Sequence, residues 1–242
     1  MTTTTTDPPL LRCEALRVGY GGQAILPAID LTIHAGEFWA VIGRNGSGKS
    51  TWFKTALGLM PPVSGRVRWP SGEVPLSYLG QRLSFDDLYP VTALQVVAMA
   101  RGRGWSFLRP FSGDSAPARE ALAAVDAAAL AGRTFRSLSE GQKQRVLIAR
   151  MLAGGAKIAF LDEPTAAMDA VAELEVMMLI DRLRRERGMA VVIVSHHLGV
   201  TRRFAERVLF VDDDSDTVIT GTTDEVFAHP TFAARYGEHA RA

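Results

Sequence analysis

Short apolar runs bounded by glycine and polar turns alternate along the chain with longer stretches of helical periodicity, which predicts an α/β fold. Leu11 to Val18 and Ile25 to Ile33 read as β-segments joined by the turn Gly19-Tyr20-Gly21-Gly22. Phe38-Trp39-Ala40-Val41-Ile42 is wholly apolar, the pattern of a strand buried on both faces, and a helix is expected from about Lys49 to Leu59. Val67-Arg68-Trp69 and Leu76-Ser77-Tyr78-Leu79 predict two further strands. From about Arg82 to Arg150 the pattern becomes Ala-rich and helical, over Val91 to Ala100, Pro117 to Leu130 and a third helix after Leu138. Arg101 to Ser115, rich in Gly, Ser and Pro, reads as a surface loop. The β and α alternation returns with Ile158 to Leu161, the helix Ala170 to Arg187, and strands at Met189 to Val194 and Val208 to Val211. The run Arg182 to Arg187 reads as the solvated end of its helix. The expected organisation is a frayed, disordered tail over residues 1–9 and a single domain over 10–242. Within it, an α/β core of 10–81 and 151–242 is interrupted by a helical insertion of 82–150.

Composition narrows this little. With 242 residues the chain can bury a substantial core, and a net charge of +1 with 22% charged residues gives no basic stripe of the kind nucleic acid demands. A single cysteine, Cys13, excludes an internal disulfide and fits a reducing compartment; it reads as a small apolar residue in a strand. No apolar run approaches the length of a membrane span, so a soluble chain is expected, reaching a membrane only through a partner.

The chemistry lies in four segments. Gly43-Arg44-Asn45-Gly46-Ser47-Gly48-Lys49-Ser50, followed by Thr51, fits G-x-x-x-x-G-K-[ST] between a strand and a helix. Its glycines let backbone N–H groups face phosphate oxygens at a helix N-terminus, Lys49 would neutralise phosphate charge, and the Ser50 hydroxyl would hold Mg²⁺. Ile158-Ala159-Phe160-Leu161-Asp162-Glu163 is an apolar strand ending in two carboxylates, suited to Mg²⁺ binding by Asp162 and proton acceptance by Glu163. Standing alone, it would equally be a strand leaving the core through an acidic turn. Leu138-Ser139-Glu140-Gly141-Gln142 opens a helix, and Ser139 with Gln142 is also a capping box that any helix could use. Val191 to Val194 runs into Ser195-His196-His197, where a His at a strand end can meet a γ-phosphate. No third ligand at suitable spacing supports a metal site there. Tyr20 could stack on an adenine and Gln81 could reach a metal and water, though each alone is also an ordinary packed or surface residue.

Taken in order, these residues closely resemble the ATP-binding subunit of an ABC transporter. The resemblance implies a P-loop NTPase core with an N-terminal antiparallel β subdomain and an inserted α-helical subdomain. Tyr20 falls at the adenine-stacking aromatic, Gly43 to Thr51 at the Walker A loop, and Gln81 at the Q-loop glutamine. Leu138 to Gln142 resembles the signature motif, Ile158 to Glu163 the Walker B strand with the catalytic glutamate, Asp169 the D-loop aspartate and His196 the switch histidine. It further implies a head-to-tail dimer of two copies closing around two ATP, with Ser139, Gly141 and Gln142 of one copy facing the Walker A loop of the other. Opening on hydrolysis would drive two integral membrane permease subunits at the cytoplasmic face of the cell membrane, with an extracytoplasmic substrate-binding protein and no nucleic acid.

Tyr89-Pro90-Val91-Thr92 and Val96 to Arg101 are most similar to the branch that takes up metal ions and iron chelates. Relatives without a transporter act on DNA or ribosomes, but the former split around a coiled coil and the latter usually carry two cassettes. A nucleotide-dependent regulator would lack a catalytic residue, and Glu163 and His196 are both present. The chain departs from the pattern in four places: Glu140 stands where glycine is usual, Gly80 where proline is common, Ala166-Ala167-Met168-Asp169 for Ser-Ala-Leu-Asp, and His197 where an acidic residue often follows. The Glu140 side chain is expected to point away from the phosphate site.

Overall fold

The apolar run Phe38–Ile42 forms the centre of a parallel sheet because its residues are buried on both faces. The structure, a computed structural model, describes residues 8–72, 74–80, 91–101, 115–166, 168–195 and 197–237. In chain order the strands are β1 (Leu11–Arg17), β2 (Gly19–Tyr20), β3 (Gln23–Ala24), β4 (Ile29–Ile33), β5 (Phe38–Ile42), β6 (Ser64–Arg68), β7 (Leu76–Leu79), β8 (Ile158–Asp162), β9 (Ala190–Val194), β10 (Arg207–Asp212) and β11 (Thr217–Thr222). The α-helices are α1 (Lys49–Ala56), α2 (Ala93–Ala98), α3 (Ala116–Ala124), α4 (Glu140–Ala153), α5 (Ala170–Arg187), α6 (Leu198–Phe204), α7 (Thr223–Ala228) and α8 (Pro230–Tyr236).

Six strands form the main sheet in the order β11-β10-β5-β9-β8-β7, parallel except for β11, which pairs antiparallel with β10. Successive residues of each central strand feed opposite cores. Phe38, Ala40, Leu161, Val191 and Phe210 face one side, where they join Val96, Val97, Leu122, Val146 and Ile148 of the inserted helices and Ile180 of α5. Trp39, Val41, Phe160, Val192 and Leu209 face the other, against Trp52 and Phe53 of α1 and Leu11, Leu16 and Ile33 of the antiparallel sheet β4-β1-β6. Helix α1 thus lies between two sheets, and the rings of Phe53 and Phe160 meet edge-on at 5.3 Å. The α/β core, the antiparallel β layer and the helical insertion all match expectation.

Boundaries differ for identifiable reasons. The second β-segment begins at Ile29 rather than Ile25, because the chain first closes the β2–β3 hairpin through Gly21 and Gly22, both at positive φ (57° and 80°), and then meets Pro27. The expected helix from Pro117 to Leu130 stops at Ala124, where Asp126 turns left-handed (φ 57°) and a 3-10 turn over Ala128–Leu130 follows. Beyond Val211, where the sequence pattern predicts no further element, the chain adds β11, α7 and α8. The Thr-rich β11 is an edge strand, only partly buried; α7 packs Val226 beneath it, and α8 sets the Phe232 ring 5.1 Å from Phe210 of β10.

The charge run at the end of α5 requires a correction. Arg184 is buried rather than solvated, and its guanidinium lies 5.9 Å from the Phe38 ring centroid. It donates to the Gly36 carbonyl and pairs with Asp181 and Glu206, each at 3.0 Å. A buried guanidinium is tolerable only with such a complete set of acceptors. The loop expected over Arg101 to Ser115 falls, over 102–114, outside the described residues.

Candidate active site

Three segments converge at the C-terminal edge of the parallel sheet, where ligands bind in open α/β folds. The first is the loop from Gly43 to Gly48, between β5 and α1. Gly46 and Gly48 have φ of 88° and 94°, a backbone that turns N–H groups inward and that side chains resist. At Gly43 a Cβ would fall 2.5 Å from the Val211 carbonyl, so only glycine lets this loop rest on β10. Lys49, buried at the first position of α1, donates to the carbonyls of Gly43 (2.8 Å) and Arg44 (2.5 Å). Ser50 and Thr51 complete that first turn of α1.

The second segment is the end of β8. Asp162 is buried, and the Tyr78 hydroxyl of β7 donates to its Oδ2 at 3.4 Å. Burial, and then the neighbouring Glu163, push the Asp162 carboxyl above the usual aspartate range, against the pull of Tyr78, Lys49 and Lys54. The reverse holds for Lys49, which burial depresses while Glu163, Asp162 and Asp213 draw it back. A lysine and two carboxylates therefore share one desolvated corner. Glu163 has φ 50°, in the left-handed region, at a cost on the order of 1 kcal/mol. Its backbone is fixed from both sides, with its N–H donated to Val194 at 3.1 Å and its carbonyl accepting from Ala166 at 3.1 Å.

The third is the β2–β3 hairpin, whose Tyr20 has an exposed ring and a hydroxyl 3.0 Å from Thr51 Oγ1. That contact stands an aromatic face beside the loop. Gly43 to Thr51, Asp162, Glu163 and Tyr20 are thus brought together.

Ser139, Gly141 and Gln142 lie elsewhere, at the start of α4. Ser139 Oγ accepts from the Gln142 N–H at 3.3 Å and Gln142 Oε1 accepts from the Ser139 N–H at 3.2 Å, a complete capping box. A Cβ at Gly141 would meet nothing, so this helix start is open. The exposed Glu140 carboxylate is paired 2.7 Å from Lys143, which holds its charge against its own helix. Asp169 caps α5, accepting from Val171 and Ala172 at 3.0 and 2.9 Å. Gln81 and His196 lie outside the described residues.

Some contacts around these residues leave no mark in the sequence. Tyr78 touches Asp162 from a neighbouring strand. Arg44 is anchored by Asp214 at 2.7 Å, and Asp214 in turn by Arg235 of α8 at 2.6 Å. Among the described residues no group of three or more His, Cys, Asp or Glu could hold a metal.

Residues 26–166 match the ABC transporter family. The chain belongs to that family. It is 32% identical over 233 residues to the zinc import ATP-binding protein ZnuC of Pseudomonas entomophila, covering 96% of this chain and 86% of that one. It is 34% identical to its counterpart of the same name in Paramagnetospirillum magneticum, over 96% of this chain and 84% of the other. Among solved structures, one of a metal-chelate type ABC transporter in an inward-facing conformation superposes with a TM-score of 0.83 at 28% identity, over 94% of this chain and 88% of its own. The chain is accordingly an ATP-binding, ATP-hydrolysing subunit whose turnover is coupled to transport. Among the described residues no helix is long and apolar enough to cross a membrane.

Proposed function

We propose that this chain powers the uptake of a metal ion, zinc in the first instance, as a head-to-tail dimer bound to two membrane permease subunits on the cytoplasmic side. A substrate-binding protein outside the membrane would deliver the cargo. The observation that carries the enzymatic half is the shared corner of Lys49, Asp162 and Glu163 beneath the glycine loop. Support for the cargo comes from the curated relatives, which are zinc importers.

In this reading the loop N–H groups and Lys49 take the ATP phosphates, and Tyr20 takes the adenine. The residues present suit Mg²⁺ as a guest of the nucleotide rather than a resident. A hydroxyl (Ser50) and one raised carboxylate (Asp162) would hold it, with Gln81 completing the set, and the ion would offset phosphate charge. Glu163 accepts a proton from the attacking water, and its fixed backbone keeps it aimed. Ser139, Gly141 and Gln142 of the second copy close over the γ-phosphate from an open helix N-terminus, a natural anion seat. Asp169 and His196 act across and beside that interface. Residues 10–81 with 151–242 form the catalytic body, and 82–150 the part that docks on the permease.

Glu163→Gln tests the enzymatic reading. It should retain ATP binding, accumulate an ATP-bound dimer, and lose about a hundredfold or more of its turnover, the general-base contribution. Rapid hydrolysis by this variant would remove Glu163 as the base. For the cargo, deletion of the chain should abolish uptake of radioactive zinc by whole cells. Unchanged uptake, with the protein copurifying on ribosomes or DNA, would sink the transport assignment.

A further inference from the structure

A buried carboxylate that the reaction scheme does not use joins the two strand ends on which the chemistry depends. Glu173 lies in the first turn of α5, with its N–H donated to the Asp169 carbonyl at 2.9 Å, and is only 4% exposed. Its two oxygens have separate partners. The Thr165 hydroxyl donates to Oε1 at 3.1 Å, and His197 Nδ1 lies 2.5 Å from Oε2. Thr165, itself buried, is two residues beyond Glu163 and belongs to the turn that leaves β8. His197 follows β9, with its N–H donated to Ser195 Oγ at 3.1 Å. A carboxylate accepts, so the hydroxyl and the ring N–H both donate to it. Burying that carboxylate would be costly without these two donors.

We propose that Glu173 is a positioning residue for hydrolysis: it ties the turn after Glu163 to the segment after Ser195, so that the two strand ends hold one relative geometry. The proposal rests on the reading of Glu163 as base. Glu163 occupies a left-handed backbone conformation, which persists only where its surroundings enforce it. One enforcing contact is its N–H to the Val194 carbonyl of β9. The Glu173 bridge is a second connection between the same two strand ends, made through side chains from α5. In the chain His197 stands next to His196, so the bridge grips the immediate neighbour of the assigned switch histidine. The same helix carries Asp169 at its cap, in the connection that also holds Thr165, and the bridge therefore couples that connection to the segment after β9 through one side chain.

The test is steady-state hydrolysis by the full-length chain, expressed per ATP-binding site counted by nucleotide titration. Glu173→Ala should lower kcat by about tenfold or more, the scale of a misplaced catalytic group, with KM for ATP within about twofold. Glu173→Gln should recover to within about threefold of the parent, because an amide can accept from Thr165 and donate to the other His197 tautomer. Thr165→Val combined with His197→Ala should be no worse than the more impaired of the two single variants, as expected for parts of one bridge. These last variants also serve if Glu173→Ala does not fold. Per-site turnover within about twofold of the parent in Glu173→Ala, no recovery with Gln, or additive losses in the pair would each overturn the proposal. Glu163→Gln run alongside separates the readings: full activity there removes the base, whereas inactivity there with a normal Glu173→Ala removes only the bridge.

Discussion

Ser139 carries two roles that a single substitution can separate. It caps α4, and in the proposed dimer it meets the γ-phosphate held by the second copy. Ser139→Ala removes the acceptor for the Gln142 N–H, a loss of about 1 kcal/mol in an exposed cap. In a chain of this size that lowers Tm by about 2–4 °C. Ser139→Asp keeps an acceptor at the same position, and aspartate is as good a cap as serine. Its charge at the helix N-terminus adds a few tenths of a kcal/mol, so the nucleotide-free protein should melt within about 2 °C of the parent.

In the closed dimer the outcome inverts. A carboxylate about 4 Å from a phosphate charge, at an effective dielectric of about 20, costs about 4 kcal/mol, or nearly three decades in affinity per site. Ser139→Ala loses a bond to a charged group there, about 1.5–3 kcal/mol, and closes weakly. Thermal melts without nucleotide, followed by sedimentation of the ATP-bound forms in a Glu163→Gln background, read the two roles independently. The aspartate variant should be stable and monomeric; the alanine variant slightly unstable and partly dimeric. An aspartate variant that dimerises with ATP as the parent does would show that this helix start is a cap and nothing more.

Other substitutions probe the frame around the site. Burial pushes the Cys13 thiol up to about 12, against an ordinary value of 9.0, so Ellman's reagent at pH 8 should react only after denaturation. Between pH 9 and 12 the unfolded chain then binds fewer protons at this group than the folded one. Cys13 therefore erodes stability as pH rises through that window, and Cys13→Ala should flatten the decline in Tm. Arg235→Ala leaves the buried Asp212 carboxylate, among the described residues, with the Ser215 hydroxyl as its side-chain donor, and a lower Tm than the parent is expected in a thermal melt. Gly48→Ala forces a side chain to φ 94° with Cβ 2.9 Å from Leu26 Cδ1, at about 1–2 kcal/mol, and fluorescent-ATP titration should show roughly tenfold weaker binding.

What could be read in the sequence is the chemistry that local backbone carries. The phosphate loop needs glycines at fixed offsets before Lys49, the α4 cap needs Ser139 and Gln142 three apart, and α5 starts at its Asp169 cap and stops at Gly188 in the left-handed region. Each is a rule about a few consecutive residues. What could not be read is chemistry made by packing. Tyr78 meets Asp162 across 84 positions of chain and Arg44 meets Asp214 across 170, and no periodicity encodes either pair. The errors follow the same division. Arg184 stands in a run of arginines that any local reading assigns to water, yet it is buried because Gly36 and Glu206 supply acceptors from the distant turns that precede β5 and β10. Glu173 resembles an ordinary acidic residue in the first turn of a helix, a place where a carboxylate needs no explanation. Its burial between Thr165 and His197 is what demands one. The departure at His197 from the acidic residue that the resemblance leads one to expect after His196 then gains a physical reading: with a carboxylate at 173, a second acid at 197 would repel it, while an imidazole N–H donates to it.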